Sequence, residues 1–341
     1  MRKSTYLCLF TKSIHHQMLR SQLGNIGHFA VIISFVSALI ATYAYIQATR
    51  ENKPMSSWIT LARTSFFIHT AGIITVVITL FTIIFNHYFE YHYAWDNTSW
   101  SLPVGYAISS FWQDQEGSFL LWMFWDALIG MLLIFTFYQK IKRKKSTTSF
   151  EAPVMTVMAG VQTFLASMIL GVVIWGDLKL GSSPFLLLKE SMPDLPVWKT
   201  QPDFVPNDGN GLNPLLQNYW MVIHPPTLFL GFALTLVPFA FGIAGLWQKK
   251  YTEWIKPALP WTLVSAVILG TGIMMGAIWA YETLNFGGYW NWDPVENAVY
   301  VPWIILVASF HTMLLAPKNS SALKYTFILV FSQFILILYS T

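Results

Sequence analysis

The sequence predicts an all-α fold, a polytopic transmembrane helix bundle of about eight helices with an external Trp-rich loop. Three observations carry that prediction. Of the 341 residues, 55% are hydrophobic and 11% are charged, whereas an ordinary soluble domain carries about 25% charged residues. Apolar runs long enough to cross a bilayer, about 20 residues at helical rise, recur along the whole chain and leave no room for a soluble domain of ordinary size. The basic residues cluster in short loops between those runs, as the positive-inside rule describes. The formal charge of +4 therefore reports topology, and nucleic acid is excluded as a partner.

Spans are expected near Phe29–Ile46, Phe66–Phe85, Phe119–Tyr138, Val154–Trp175, Thr227–Trp247, Trp261–Ala280, Ala298–Leu315 and Tyr325–Tyr339. Residues 1–23 read as an N-terminal extension, too polar for a signal peptide, and the part before Met18 as an over-extended start. Residues 24–175 hold the first four helices. Residues 176–223 form an external loop rich in proline (Pro184, Pro193, Pro196, Pro202, Pro206, Pro214) with a turn at Asn207-Asp208-Gly209, expected to be an ordered cap. Residues 224–341 carry the remaining helices and the Trp-rich loop 286–297. The last run stops at Thr341 without a polar flank, as a truncated reading frame or a fragment would.

Orientation follows from the loops. Lys140, Lys142, Arg143, Lys144 and Lys145 after the third span, and Lys249, Lys250 and Lys256 after the fifth, mark the cytoplasmic side. The loops 87–117 and 281–297 contain no Lys or Arg and face outward with the Pro-rich loop. Alternation then puts the N-terminus outside as well, against the preference of Arg2, Lys3, Lys12 and Arg20. No repeat of solenoid period is present. Cys8 is the single cysteine, so an internal disulfide and a Cys-rich metal cluster are both excluded, and no Cys-x-x-Cys-His site occurs.

The most unusual segment is Phe286-Gly287-Gly288-Tyr289-Trp290-Asn291-Trp292-Asp293-Pro294-Val295-Glu296-Asn297. An interfacial aromatic belt accounts for one or two such rings. It does not account for glycines that permit close backbone approach set beside several flat faces on which a macrocycle can stack. Trp290 and Trp292, two apart, would share one side of an extended stretch and form a continuous apolar wall. Histidine supplies a second signal, because neutral imidazole is a common axial ligand of haem iron. His224 precedes Pro225-Pro226, two residues able to begin a helix, and is expected at the outer rim; the bland alternative is a cap or a headgroup contact. His311 lies inside the seventh span, about 20 Å below the outer surface at helical rise, a depth at which ionisable groups are usually functional. A histidine bonded to a neighbouring helix is its bland alternative. His69 is a weaker case of the same kind, and His87 and His92 fit the aromatic belt. In Gln113-Asp114-Gln115-Glu116-Gly117-Ser118, Asp114 reads as a helix-start residue.

Together these residues resemble a haem-handling superfamily, the WWD-domain proteins, marked by an external loop Trp-Gly-x-x-Trp-x-Trp-Asp. Phe286 replaces the leading Trp here, while Gly287, Trp290, Trp292 and Asp293 agree. Pro294-Val295-Glu296-Asn297-Ala298, Asn213-Pro214-Leu215-Leu216-Gln217, His224-Pro225-Pro226, Gln115-Glu116-Gly117-Ser118 and Ser183-Pro184-Phe185 resemble the cytochrome c maturation protein F branch, from about Gly24 onward. The resemblance implies a bacterial inner-membrane haem lyase subunit of cytochrome c biogenesis. Such a subunit takes haem from a periplasmic haem chaperone, works beside thiol-reducing maturation subunits and joins haem to apocytochrome c. It implies that His224 ligates the substrate haem beside the loop residues Gly287, Gly288, Tyr289, Trp290, Trp292 and Asp293, and that His311 ligates a resident haem b. The second histidine of each pair has no counterpart in these residues. Attachment adds a cysteine thiolate across a haem vinyl group, so no nucleophile or general base of this chain is required, and no catalytic side chain is assigned. Asp293 is expected to accept a hydrogen bond from a ligand histidine. Two other readings stay open: a haem permease, for which Gly270, Gly272 and Gly276 would weaken the sixth helix, and a non-catalytic half of a split lyase.

Overall fold

A computed structural model of the chain describes residues 2–51, 56–143, 150–176 and 178–340, with the helical backbone alone for 2–21 and for Ser340. The long helices α1 (Arg2–Glu51) and α2 (Ser57–Phe85) come first. Two short helices follow, α3 (His92–Asn97) and α4 (Val104–Ser109). Next are α5 (Gln115–Lys142) and α6 (Glu151–Met168), then an antiparallel hairpin of β1 (Val172–Ile174) and β2 (Leu178–Leu180). Two single turns, α7 (Leu188–Ser191) and α8 (Val197–Thr200), lead into α9 (Tyr219–Trp247), α10 (Ile255–Thr283), α11 (Pro294–Leu315) and α12 (Ser320–Ser340).

The architecture is the expected helical membrane bundle, with one difference. Among the described residues, seven helices are long and apolar enough to cross a membrane, not eight. The one left out is α6, which stops at Met168 instead of running to Trp175. Gly171 turns the chain at a φ of +60°, and the apolar run beyond it, Val172-Val173-Ile174, pairs as a strand. β-branched residues favour that state. The polar groups of α6 face inward. Glu151, 1% exposed, is held by Nε and Nη2 of Arg63 at 2.6 and 2.7 Å, a bidentate pair that ties α6 to α2. Gln162 donates to the Met123 carbonyl of α5 at 2.9 Å.

Small residues set the closest helix contacts, as membrane interfaces favour. A Cβ on Gly72 of α2 would lie 3.0 Å from Ser34 of α1, and one on Gly231 of α9 would lie 2.8 Å from the Leu269 backbone of α10. The α9 helix is the centre of the molecule, 72% of its apolar window being buried against 28, 22 and 28% for α10, α11 and α12. Phe232, Leu236, Val237 and Ala240 of this helix are buried in the core, and Phe232 meets Trp122 of α5 at 5.6 Å.

The Pro-rich segment is an ordered cap, held edge to edge against the loop after α2. His92 donates its backbone N–H to Leu186 and Leu188 returns one to Glu90. Farther along, Asn210 and Gly211 donate to Trp95 and Thr98, and Asp208 accepts from the Trp100 backbone at 2.9 Å. Asp114 does not cap α5 with its side chain as expected. Its carboxylate takes the Asn97 amide at 2.5 Å instead. Gly117 is obligatory at the next turn, where a Cβ would collide with the Phe111 carbonyl and the Tyr93 hydroxyl.

Candidate functional site

The loop between α10 and α11 spends its polar groups on its own shape. Asp293 is the N-cap of α11, accepting from the Glu296 N–H at 2.7 Å. The Glu296 carboxylate reaches back to the N–H groups of Asn291 at 2.7 Å and Asp293 at 3.4 Å, a capping box. Asn297 donates to the carbonyls of Trp292 and Asp293. These bonds hold Trp292 at a φ of +57°, a conformation rare for a bulky side chain. The extended backbone needed for a flat wall is therefore broken between Trp290 and Trp292. Their rings meet edge to face at 5.7 Å and 82°, and both turn an edge to Tyr300, at 5.4 and 5.8 Å. Tyr289 stacks flat on Tyr281 at 4.2 Å. Trp292 is 65% and Tyr289 54% exposed, so both present ring surface outward. Gly287, at a φ of +69°, has open space where a Cβ would point, and a Cβ on Gly288 would meet Phe286 and Trp290 at ordinary van der Waals distance.

His224 lies inside α9 and not ahead of it. Asn218 caps α9 by accepting from the Trp220 N–H at 2.8 Å, which puts His224, Pro225 and Pro226 in the second turn of the helix. Proline in that position removes the hydrogen bond to the carbonyl four residues earlier. The freed Met221 carbonyl is taken by the Trp112 indole at 3.1 Å. The imidazole lies flat over Gly276 of α10, close enough that a Cβ there would meet its Cε1 at 2.7 Å. Its Nδ1 is 2.8 Å from the Gly272 carbonyl. A carbonyl can only accept, so Nδ1 carries the hydrogen and Nε2 keeps its lone pair. Gly272, not Asp293, fills the orienting role, because Asp293 is engaged in capping α11.

His311 shows the same arrangement on another face. Its Nδ1 donates to the Val307 carbonyl at 2.8 Å and the side chain is exposed. With Tyr300, Trp303 and Val307 it forms one stripe along α11. A cavity of about 450 Å³ opens beside that stripe between α10 and α11, lined by Gly270, Met274, Tyr300, Trp303 and Val307 among others. Trp303 is fixed by its indole bond to the Ala266 carbonyl at 2.8 Å. The structure thus joins Trp290, Trp292, the cavity and His311 into one continuous face. It sets His224 apart, on the α9–α10 seam. Gly270, Gly272 and Gly276 do not interrupt α10; each seats a neighbour, Trp303, Leu228 and His224 respectively. Sequence reading missed Tyr300 and Trp303 and took Gly276 only as a weak point of its helix. Of these, Tyr300 and Trp303 were findable from their helical spacing to His311.

The family model for the cytochrome c assembly protein matches residues 112–341, which include every element of this site. The chain belongs to that family. Within it, the chain is 31% identical over 321 residues to the cytochrome c-type biogenesis protein CcmF of Haemophilus influenzae, covering 94% of this chain and 45% of that protein. It is 33% identical over 320 residues to the protein of the same name from Pseudomonas aeruginosa, covering 93 and 44%. A solved structure titled cytochrome c heme lyase CcmF superposes with a TM-score of 0.73 at 25% identity, over 94% of this chain and 46% of that one. The chain therefore spans a little under half the length of these relatives of the assembly family, and corresponds to their amino-terminal part.

Proposed function

We propose that this protein acts in cytochrome c biogenesis as a haem lyase subunit of the bacterial inner membrane. It receives haem at the outer face and supports its thioether attachment to apocytochrome c. In this reading a periplasmic haem chaperone delivers the haem, and thiol-reducing maturation subunits prepare the apocytochrome.

The observation that carries the reading is the matched state of two imidazoles. His224 and His311 each bind a backbone carbonyl through Nδ1, leaving Nε2 as a ligand nitrogen whose ring orientation is already set. His224 would hold the substrate haem iron, and His311 the iron of a resident haem b beside the apolar cavity. Trp290, Trp292 and Tyr289 would supply ring faces and edges, with Gly287 and Gly288 keeping the approach open. Asp293 contributes by fixing the loop. Haem iron would supply the redox chemistry, while the residues of this chain ligate, orient and exclude water. The unbroken α10 argues for presentation at the outer face over passage through the bilayer, since transporter sites use broken helices.

The test is an optical titration of the purified protein with haem. His224→Ala and His311→Ala should each remove a distinct part of the bound haem spectrum. Stoichiometric six-coordinate low-spin haem, unchanged in both variants, would refute the ligand assignment.

A further inference from the structure

The first helices enclose polar groups that the haem reading does not use. His69 of α2, Asp126 of α5 and Gln162 of α6 are each 0% exposed. Nδ1 of His69 lies 2.8 Å from the Ser34 hydroxyl and 3.0 Å from the Ser34 carbonyl; that hydroxyl donates its own hydrogen to the His69 carbonyl at 3.3 Å, so Nδ1 is the donor to Ser34 and Nε2 is left as an acceptor. That Nε2, the Gln162 Oε1 and both Asp126 oxygens have no hydrogen-bond partner.

Helix register brings them together. Phe81 near the end of α2 stacks on Phe111 just before α5, at 4.4 Å, so the two helices run antiparallel. Gly130 of α5 packs against the Phe66 ring and the Met155 methyl. His69 is one turn beyond Phe66 in the outward direction, and Asp126 is one turn beyond Gly130 in the same direction and on the same face. Gln162 anchors its amide to the Met123 carbonyl, one turn from Asp126, and faces the His69 ring.

Donor and acceptor counting then decides what the site takes. An imidazole lone pair and an amide oxygen cannot bond to each other; both need an O–H. A water supplies two, and a water bonded to both acceptors has only its own lone pairs left for the carboxyl group. We propose that His69, Gln162 and Asp126 bind an internal water, with Asp126 as the carboxylic acid donating to it, a proton-holding site within the membrane and apart from the haem-facing helices.

The experiment is infrared spectroscopy of the full chain in detergent, in H₂O and in D₂O. The expected result is a carboxylic-acid C=O band at the frequency of a hydrogen-bonded group, shifted down by deuteration and lost in Asp126→Asn. Gln162→Leu removes one acceptor without touching the acid and should move the same band, which keeps the proposal testable if Asp126→Asn does not fold. No acid band assignable to Asp126 would mean a carboxylate there, with or without a bound cation, and would overturn the proposal. So would a band at the frequency of a partnerless acid, or one indifferent to Gln162→Leu.

Discussion

Gly276→Ala is the sharpest single perturbation of the candidate haem ligand. The new methyl would lie 2.7 Å from the His224 Cε1, where ordinary contact begins at 3.4 Å. The ring must therefore give by about 0.7 Å, and motion away from α10 lengthens the 2.8 Å bond to the Gly272 carbonyl to roughly 3.5 Å, the edge of hydrogen bonding. Losing the bond that orients a ligand histidine typically lowers metal affinity by about 10- to 100-fold. The same substitution removes a glycine from a helix interior, which by itself favours the helix by about 0.5–1 kcal/mol. Haem retention and thermal stability should thus part company. In full-chain protein purified at matched expression, haem affinity should fall at least about tenfold, while the helix gain offsets part of the roughly 1–3 kcal/mol that the added methyl costs by overpacking, so that the fall in melting temperature stays small. Gly105→Ala is the control, because nothing lies within 4 Å of a Cβ there. Gly276→Ala protein with the parent's haem affinity and spectrum would show that the imidazole over Gly276 is a packing group and not a ligand.

Three further outcomes follow from the same geometry. Trp292→Ala should weaken haem retention by about two- to twelvefold, the worth of one aromatic contact, and Trp292→Phe should restore most of it; equal retention in the alanine variant and the parent would leave the loop as an interfacial belt. Arg63→Ala removes the bidentate cation from the buried Glu151 carboxylate and should destabilise the protein by up to about 3–5 kcal/mol, part of which a second change, Glu151→Met, should recover in thermal melts; an unaltered melt for Arg63→Ala refutes this. Burial holds the Asp114 carboxyl above its ordinary value, against the opposing Asn97 hydrogen bond and with help from nearby Glu116. The folded state therefore binds that proton more tightly than the unfolded state, and this contribution to stability is lost as pH rises from the ordinary carboxylate range through the raised folded value. Asp114→Asn should accordingly raise the melting temperature at neutral pH, with the gain shrinking in acid; a gain independent of pH would rule out the ionisation as its source.

Much of the fold is legible because lipid enforces a simple rule: long apolar runs become helices. The rule fails where a run is apolar but short. Residues 170–175 continue the hydrophobicity of α6, yet Gly171 and three β-branched residues turn them into a strand, and periodicity cannot separate the two. The start of α9 was hidden for a different reason. Pro225 and Pro226 look like a helix beginning, and what lets them lie inside one is the Trp112 indole, 109 residues away, taking the carbonyl that Pro225 frees. A partner so distant in sequence leaves no local trace. The same holds for Trp292, whose left-handed backbone is set by bonds from Glu296 and Asn297 after the turn.

The glycines of α10 show how these levels connect. Spaced along one helix, Gly270 and the pair Gly272 and Gly276 point to different sides, and each vacancy of side chain is filled from another helix. Gly272 and Gly276 admit Leu228 and the His224 ring, so α9 and α10 close until a main-chain carbonyl reaches Nδ1. Gly270 admits the Trp303 indole, which bonds Ala266 one turn away on the same face of α10 and braces the α11 stripe that ends in His311. A side chain at any of these positions would widen one seam or tilt one stripe. The two imidazoles are held apart, His224 on the α9–α10 seam by the Gly272 carbonyl and His311 on the exposed side of α11 by the Val307 carbonyl, so that in the proposed reading neither would ligate the other's iron. In the proposed lyase, that separation keeps a substrate haem at the α9–α10 seam distinct from a resident haem at the α10–α11 face, while one rigid helix fixes the position of both.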